Sequence, residues 1–139
     1  MHVIASNEPA RRVVIVEDND DTRELLRELL ELWGHQVIAV GDGVGGAQSI
    51  ISERPDVALV DVGLPDIDGF QVAKRVRGAI GSEVMLVAVS GYGTEEMKQR
   101  ARACGFDDHL TKPPELEVLA ELLKSPRGVG VARVRASFL

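Results

Sequence analysis

Polar side chains that could do chemistry stand at the ends of several apolar segments of this sequence. They are Glu17, Asp18, Asp61, Ser90 and Lys112. Carboxylates held close together repel one another, and this repulsion raises their pKa values. A divalent cation removes the repulsion, and Mg²⁺ prefers hard oxygen ligands while keeping some of its waters. The pattern therefore predicts a magnesium site in which Asp18 and Asp61 are direct ligands and Glu17 binds through water.

The same residue types could support phosphoryl chemistry. A carboxylate can attack a phosphoryl group and form an acyl phosphate. A bound cation, the Lys112 ammonium and the Ser90 hydroxyl would stabilise charge on the transferred oxygens. Taken singly, each residue also fits a structural role in a cap, a turn or the surface. Their agreement in type and order favours the chemical interpretation, whereas Asp66 and Asp68, in the segment LPDIDG, are interpreted as turn formers.

Continuous apolar runs indicate the strands that must position these groups. The strongest runs are Val13–Val16, Val57–Val60 and Met85–Val89. Continuous rather than alternating apolarity is typical of strands buried on both faces. Weaker candidate strands are Gln36–Val40 and Asp108–Thr111.

Amphipathic segments between these strands predict five helices. The first should be capped by Asp20 or Asp21 and should end at Gly34. The expected inward-facing residues of the first helix are Leu25, Leu26, Leu29, Leu30 and Trp33. The others are predicted from about Asp42 to Ser52, around Val72–Val76, and from Met97 to Gly105. The fifth is predicted over Glu115–Lys124, with Leu116, Leu119, Ala120 and Leu123 inward.

Strands and helices alternate along the chain, which predicts an α/β fold with a doubly wound parallel sheet, (βα)5, and helices on both faces. Ligand sites in such sheets form beyond the carboxyl ends of the strands. The five polar residues fall at that edge. We predict one domain over 11–124, preceded by a flexible leader, 1–10, and followed by a C-terminal tail or linker remnant, 125–139.

Composition restricts the class of protein. The chain has 139 residues, of which 45% are hydrophobic and 27% charged, as expected of one globular domain. A net charge of −6 argues against direct nucleic-acid binding. The single cysteine, Cys104, excludes an internal disulfide and suits a reducing compartment. No apolar run approaches the roughly 20 residues of a membrane span, so we expect a cytoplasmic protein without a membrane segment.

Four segments together resemble the receiver domains of bacterial response regulators in two-component systems. They are VVIVEDND, ALVDVGLPDIDGF, VAVSGYG and HLTKP, and the resemblance covers about residues 12–124. It implies a flavodoxin-like fold with strand order 2-1-3-4-5. The stretch from SGYGTEE to GFDDHLTKP is most similar to receivers of hybrid sensor kinases and to free-standing ones.

The resemblance implies specific roles for the site residues. Asp61 would take a phosphoryl group, with Mg²⁺, from a histidine kinase or a histidine phosphotransfer protein. The chain would then be a signalling phosphoacceptor and not an enzyme acting on other molecules. The backbone carbonyl of Gly63 would be the third protein ligand to Mg²⁺, beside Asp18 and Asp61. Ser90 matches the switch hydroxyl, and Lys112 matches the phosphate-binding lysine, with a cis peptide bond to the following proline.

Some positions depart from the family pattern. Glu17 stands where aspartate is common, Gly91 where alanine is frequent, and Pro114 where an apolar residue is usual. His109 occupies the position of the aromatic residue that changes rotamer on activation, so the resemblance makes it, like Ser90, a candidate switch residue.

A charge added at Asp61 should affect the surface that Ser90 and Lys112 border. It is the face formed by the fourth helix, the fifth strand and the fifth helix, which could also pair two copies as a homodimer. Val118 and Leu122 form a second apolar stripe on the fifth helix. That stripe fits either a partner contact or the covering of core edges.

Three other functions are alternatives to the phosphoacceptor. A pseudo-receiver would share the fold and act as an interaction module without phosphorylation. A phosphohydrolase with an aspartyl-phosphate intermediate would need an acidic residue at position 63, which is Gly63. A nucleotide or flavin binder would need a glycine-rich phosphate loop after the first strand, where this sequence is acidic. The complete set of polar residues favours the phosphoacceptor.

Overall fold

The computed structural model describes residues 9–124, in which strands and helices alternate strictly. The strands are β1 (Arg12–Val16), β2 (Gln36–Val40), β3 (Val57–Asp61), β4 (Met85–Ser90) and β5 (Asp108–Thr111). The helices are α1 (Asp20–Leu32), α2 (Gly43–Glu53), α3 (Gly69–Ile80), α4 (Glu95–Ala103) and α5 (Leu116–Lys124). Most of the predicted leader, 1–10, and all of the predicted tail, 125–139, lie outside the described residues.

The strands form one parallel sheet in the order β2-β1-β3-β4-β5. This is the flavodoxin-like topology predicted from the sequence, and the order reverses between β1 and β3. Every residue of β3 and β4 is buried, as their continuous apolar runs predicted. The register pairs Val16 with Val60 and Asp61 with Val89, so the strands end at nearly the same height.

Two hydrophobic layers sandwich the sheet. One contains residues of α2, α3 and α4 on one face, and the other contains residues of α1 and α5 on the opposite face. Alternate residues of each central strand enter opposite layers, as Val60 and Leu59 of β3 do. The two layers leave the carboxyl edge of the sheet uncovered, and the site lies there.

The sequence-based prediction of the α1 cap was wrong. The cap of α1 is Asn19, whose side chain accepts from the Thr22 amide at 2.9 Å, and Asp20 and Asp21 lie in the first turn. Asparagine caps as well as aspartate does, so residue type alone could not fix the boundary.

Two apolar side chains were also placed on the wrong side of their helices. Leu25 is 70% exposed and Leu116 is 53% exposed, whereas Leu122 is fully buried. Leu25 and Leu26 point about 100° apart on a helix, so only one of them can face the core. Leu122 follows Leu119 by three residues and shares its inward face. Of the two interpretations of the second stripe on α5, Leu122 therefore fits the covering of the core.

Within residues 9–124, none of the helices has the length and apolar character needed to cross a bilayer.

Candidate functional site at the carboxyl edge

Three carboxylates meet at the carboxyl edge of the sheet. Glu17 and Asp18 follow β1, Asp61 ends β3, and one oxygen from each lies within 4.8 Å of the others. Glu17 and Asp61 are buried, and Asp18 is exposed. Neighbouring parallel strands deliver these groups to one point because β1 and β3 are adjacent in the sheet. The cluster has the oxygen donors that the sequence predicted for Mg²⁺.

Lys112 bridges the two buried carboxylates. Its Nζ lies 2.8 Å from Glu17 Oε1 and 3.0 Å from Asp61 Oδ2. Burial alone would lower the pKa of Lys112, but the hydrogen bonds to the two carboxylates outweigh burial, and the pKa is raised. The peptide bond from Lys112 to Pro113 is cis, as the resemblance implied. The ammonium therefore stays charged beside Asp61.

Glu17 is held by the first turn of α1. Its Oε2 accepts from the Asn19 amide at 3.0 Å, and its carbonyl accepts from Arg23 at 3.0 Å. Burial raises the pKa of Glu17 and the charge of Asp61 adds to the rise, although bonds to Lys112 and Asn19 oppose it. No sequence pattern identified Asn19 or Arg23 as supports of this carboxylate. Their contacts orient Glu17 towards the other carboxylates.

Asp61 is fixed by its own strand end. Its side chain is 9% exposed, and Oδ1 accepts from the Gly63 amide at 3.1 Å. Gly69, the first residue of α3, packs so closely that an added Cβ would lie 2.6 Å from the Asp61 carbonyl oxygen. A glycine at this position therefore allows the start of α3 to support the end of β3.

The donor set fits a divalent cation. Three carboxylates face one ammonium, which leaves an excess of negative charge that a hard cation would neutralise. Asp18 is exposed and provides an open side from which a cation could be reached. Gly63 is also exposed, and its amide donates a hydrogen bond to the Asp61 carboxylate.

The loop between β3 and α3 is fastened to α2 by Asp66. Its two carboxylate oxygens accept from the amides of Gly43 and Val44 at 2.7 and 2.8 Å. These backbone bonds lower the pKa of Asp66 to about 2. Asp68 caps α3 by accepting from the Gln71 amide at 2.9 Å. Both aspartates thus have structural partners, in agreement with their interpretation as turn formers.

Ser90 ends β4, as predicted, but its hydroxyl is bonded elsewhere. Ser90 Oγ lies 2.7 Å from the Tyr92 carbonyl oxygen and 2.8 Å from His109 Nε2. No hydrogen bond joins Ser90 to Asp61 in the described part of the chain. The structure therefore brings Glu17, Asp18, Asp61 and Lys112 together and leaves Ser90 paired with His109.

An apolar groove of about 480 Å³ adjoins the site between α1 and the loop that precedes α5. The exposed side chains of Leu25 and Leu116 line it, and so do the site residues Glu17 and Lys112. The sequence pattern had assigned both leucines to the core. A sequence signal for the groove was the excess of leucines on α1 beyond one apolar stripe.

Comparisons with known proteins agree with the fold. The response regulator receiver domain profile matches residues 13–124. An uncharacterized 14.6 kDa protein of Leptolyngbya boryana is 36% identical over 114 residues, covering 81% of this chain and 86% of that protein. Sporulation initiation phosphotransferase F of Bacillus subtilis is 27% identical over 113 residues, covering 81% of this chain and 90% of that protein.

One solved structure is a co-crystal of the Saccharomyces cerevisiae histidine phosphotransfer signalling protein Ypd1 with the receiver domain of its downstream response regulator Ssk1. The match has a TM-score of 0.76 and 26% identity, and it covers 82% of this chain and 86% of that chain. The chain spans about half the length of several other curated relatives. The profile match and the shared topology show that this chain belongs to the response regulator receiver domains of two-component signalling.

Proposed function

We propose that this protein accepts a phosphoryl group on Asp61 from a phosphohistidine and uses Mg²⁺ at the acidic cluster. The observation that carries the proposal is the meeting of three carboxylates within 4.8 Å beside the Lys112 ammonium. An acidic residue buried beside a cation-binding cluster and a lysine is equipped to act as a nucleophile towards phosphorus. The complete set of groups favours this function over a pseudo-receiver that only binds partners.

The proposed step is a transfer between a histidine nitrogen and a carboxylate oxygen. An Asp61 oxygen attacks phosphorus while the bond from phosphorus to the donor nitrogen breaks, and that nitrogen keeps the electron pair and is protonated by solvent. Lys112, at 3.0 Å from Asp61 Oδ2, is placed to pair with a phosphoryl oxygen. Asp18, Asp61 and the Gly63 carbonyl would hold Mg²⁺, with Glu17 bound through water. The ion would neutralise charge on the phosphoryl oxygens.

The phosphoryl donor is proposed to dock in the apolar groove beside α1. Because Glu17 and Lys112 line this groove, a helix seated on Leu25 and Leu116 would lie next to Asp61. The co-crystal of Ypd1 with a receiver domain supports a histidine phosphotransfer protein as one class of donor. A histidine kinase is the other class.

A second surface is proposed for signalling output. A cavity of about 330 Å³ lies on the face formed by α4, β5 and α5, and Lys98, His109 and Val118 line it. We propose that this face changes on phosphorylation and can pair two copies of the protein. Val118 remains a candidate contact there because it is only half-buried.

Uptake of a phosphoryl group from acetyl phosphate tests the proposed function. Wild-type protein with Mg²⁺ should incorporate about one phosphoryl group per molecule, and Asp61→Asn should incorporate none. Asp66→Asn is the matched control, because Asp66 is a nearby aspartate bonded to α2. Equal incorporation by wild type and Asp61→Asn would contradict the proposal.

Isothermal calorimetry with Mg²⁺ tests the metal separately. Asp18→Asn should weaken Mg²⁺ binding about tenfold or more, since it removes a charged ligand. Asp21→Asn, an exposed residue of the first turn of α1, should leave the affinity within about twofold. If the wild-type protein gives no heat of Mg²⁺ binding, the magnesium site is contradicted.

A further inference from the structure

The strand β2 forms one edge of the sheet. Within residues 9–124 it pairs with β1, and no strand pairs with its other side. The open side of an edge strand presents backbone N–H and C=O groups that can pair with another chain, and proteins commonly protect such edges with lysine, proline or a bulge. The sequence of β2, QVIAV, contains neither lysine nor proline, and its register against β1 is continuous.

The hydrogen bonds to β1 identify which backbone groups of β2 face the open edge. The amide of Gln36 and the carbonyl of Val40 bond to the residues that flank β1, at 2.9 and 3.0 Å. Successive residues of a strand turn their N–H and C=O groups to opposite sides. Val37 and Ala39, which alternate with those residues, therefore present both their N–H and their C=O groups at the open edge.

The surface around this edge is poor in charge. Segment 36–52, which contains β2 and most of α2, has a single charged residue, Asp42, whereas 27% of the whole chain is charged. Ile38, the middle residue of β2, is 38% exposed. Depletion of charge is typical of the cores of protein interfaces. In a symmetric dimer each patch meets its own copy, so an uncharged patch avoids repulsion between like charges.

The flank of β2 formed by α2 is uncharged as well. A Cβ added at Gly45 of α2 would lie 3.0 Å from Val40 Cγ1 of β2, so the side of α2 that contains Gly45 faces the end of this strand. The exposed residues Gln48 and Ser52 follow Gly45 by three and seven positions and share that side of the helix. Small and uncharged side chains there allow another chain to approach the edge closely.

The opposite flank of β2 is formed by α1. A Cβ added at Gly41 would lie 3.0 Å from Arg23 Nη1, which places Arg23 and Arg27, one turn later, on this side of α1. Both arginines form ion pairs with acidic residues of their own helix at 2.5 to 2.7 Å. This flank therefore carries neighbouring charges of both signs, which does not oppose the approach of a second copy.

We propose that two copies of this protein pair antiparallel through β2, about a two-fold axis that passes Ile38 perpendicular to the sheet. In this register Val37 of one copy lies opposite Ala39 of the other, and each such pair exchanges its N–H···O bonds. All the outward backbone groups of both strands are then satisfied. The two Ile38 side chains meet at the non-hydrogen-bonded position between these pairs, where cross-strand side chains come closest.

This dimer is independent of the phosphoryl chemistry. β2 and β5 lie at opposite edges of the sheet, so pairing through β2 leaves the face of α4, β5 and α5 free. The pairing uses no residue of the acidic cluster and needs no phosphoryl group. Protein that has not been phosphorylated therefore tests it, and failure of the proposed function would leave it unaffected.

Sedimentation velocity of the full chain, without a phosphoryl donor, measures the pairing. Wild type should form a dimer whose fraction rises with concentration. Ile38→Lys should weaken dimerisation about tenfold or more, because it places like charges directly opposite each other at an exposed position. Leu32→Lys is the matched control. Leu32 is 65% exposed and follows Leu25 by two turns, on the side of α1 that borders the groove, and its substitution should leave dimerisation within about twofold of wild type.

Amide hydrogen exchange locates the contact without a substitution. The Val37 and Ala39 amides should exchange slowly in the wild-type dimer and faster when it is diluted to monomer, whereas the Gln36 amide, bonded within its own copy, should not change. This measurement decides the matter even if Ile38→Lys does not fold. A monomer at every concentration, a dimer unaffected by Ile38→Lys or lost equally in both lysine variants, or a dimer with unprotected Val37 and Ala39 amides overturns the proposal.

Discussion

Lys112 has opposing effects on the two functions proposed for the acidic cluster. Its ammonium lies within 3.0 Å of both buried carboxylates and offsets part of their repulsion. The same positive charge competes with a cation for those oxygens. It would also stabilise a phosphoryl group on Asp61. Substituting this one side chain can therefore separate metal binding from phosphoryl transfer.

We predict that Lys112→Met tightens Mg²⁺ binding severalfold and slows phosphorylation by acetyl phosphate about tenfold or more, because a charge that stabilises the transferred oxygens is lost. Calorimetry and phosphorylation kinetics on the same samples measure the two effects. Lys74→Met, on the exposed side of α3, is the control and should change neither quantity. A parallel loss of Mg²⁺ affinity and rate would contradict this division of roles.

For single residues, the sequence predicted which residues lie at the site better than it predicted the contacts that they make. Glu17, Asp61 and Lys112 could be placed together because parallel strands end at one edge. The contact between Ser90 and His109 depends on the register of β4 against β5 and on side-chain rotamers, which no local pattern encodes. The bond from Asp66 to Gly43 spans 23 residues and was invisible for the same reason.

Among the elements, α3 packs directly against the end of β3 that carries Asp61. Its first residue, Gly69, contacts the backbone of Asp61 and Val62, so the helix start and the strand end form one packed unit. The N-cap Asp68 fixes the same turn. A substitution in that turn should therefore displace the Asp61 carboxylate without altering its charge.

We predict that Gly69→Ala lowers the free energy of unfolding by about 1–3 kcal/mol, because its Cβ would overlap the Asp61 carbonyl and shift the backbone. Phosphorylation should slow as well, since Asp61 is displaced. Gly78→Ala is the matched control on the same helix, where a Cβ meets open space, and it should stabilise by up to about 1 kcal/mol. Urea denaturation would measure both, and equal effects of the two substitutions would contradict the packing argument.

Element types and order were predictable from the sequence, whereas element ends and some helix faces were not. Continuous apolar runs identified β1, β3 and β4 because a doubly covered sheet has no polar face. The rotation of α1 and α5 was only partly predictable, since Leu25 and Leu116 are apolar yet exposed. Such residues face a groove that becomes recognisable only after the helices are packed.

At the end of the molecule opposite the site, Arg11 links His35 to the end of α5. The Arg11 amide donates to His35 Nδ1 at 3.0 Å, and the Arg11 guanidinium donates to the carbonyls of Leu123 and Lys124 at the end of α5. Burial, and then the charge of Arg11, lower the pKa of the buried His35. Protonating Nδ1 would break the bond to the Arg11 amide.

We predict that stability falls as pH is lowered from about 7 to about 5.5, because the unfolded chain binds a proton on His35 more readily than the folded protein. The contribution is complete above the ordinary histidine pKa of about 6.5 and is lost below it. Thermal midpoints across this range should show a smaller pH slope for His35→Leu than for wild type. His109 titrates in the same direction and accounts for part of the remaining slope. An unchanged slope in His35→Leu would contradict the assignment.

We also predict that truncation after Lys124 leaves the thermal midpoint and phosphorylation nearly unchanged, because the described core closes at α5 and Arg11 bonds the last carbonyls of that helix. Segment 125–139 is basic and has no acidic residue, unlike the acidic chain as a whole. Loss of several degrees, or a change in oligomeric state by light scattering, would show that this segment is structural.

The central claim is that Asp61 receives the phosphoryl group, and its location by peptide mass spectrometry tests that claim most directly. The protein is incubated with Mg²⁺ and acetyl phosphate, trapped by borohydride reduction of the acyl phosphate, and digested. The proposed function predicts reduction at Asp61, abolished by a chelator and by Asp61→Asn but retained in Asp66→Asn. Reduction at another carboxylate, or phosphate on a serine or histidine with Asp61 unmodified, would contradict it.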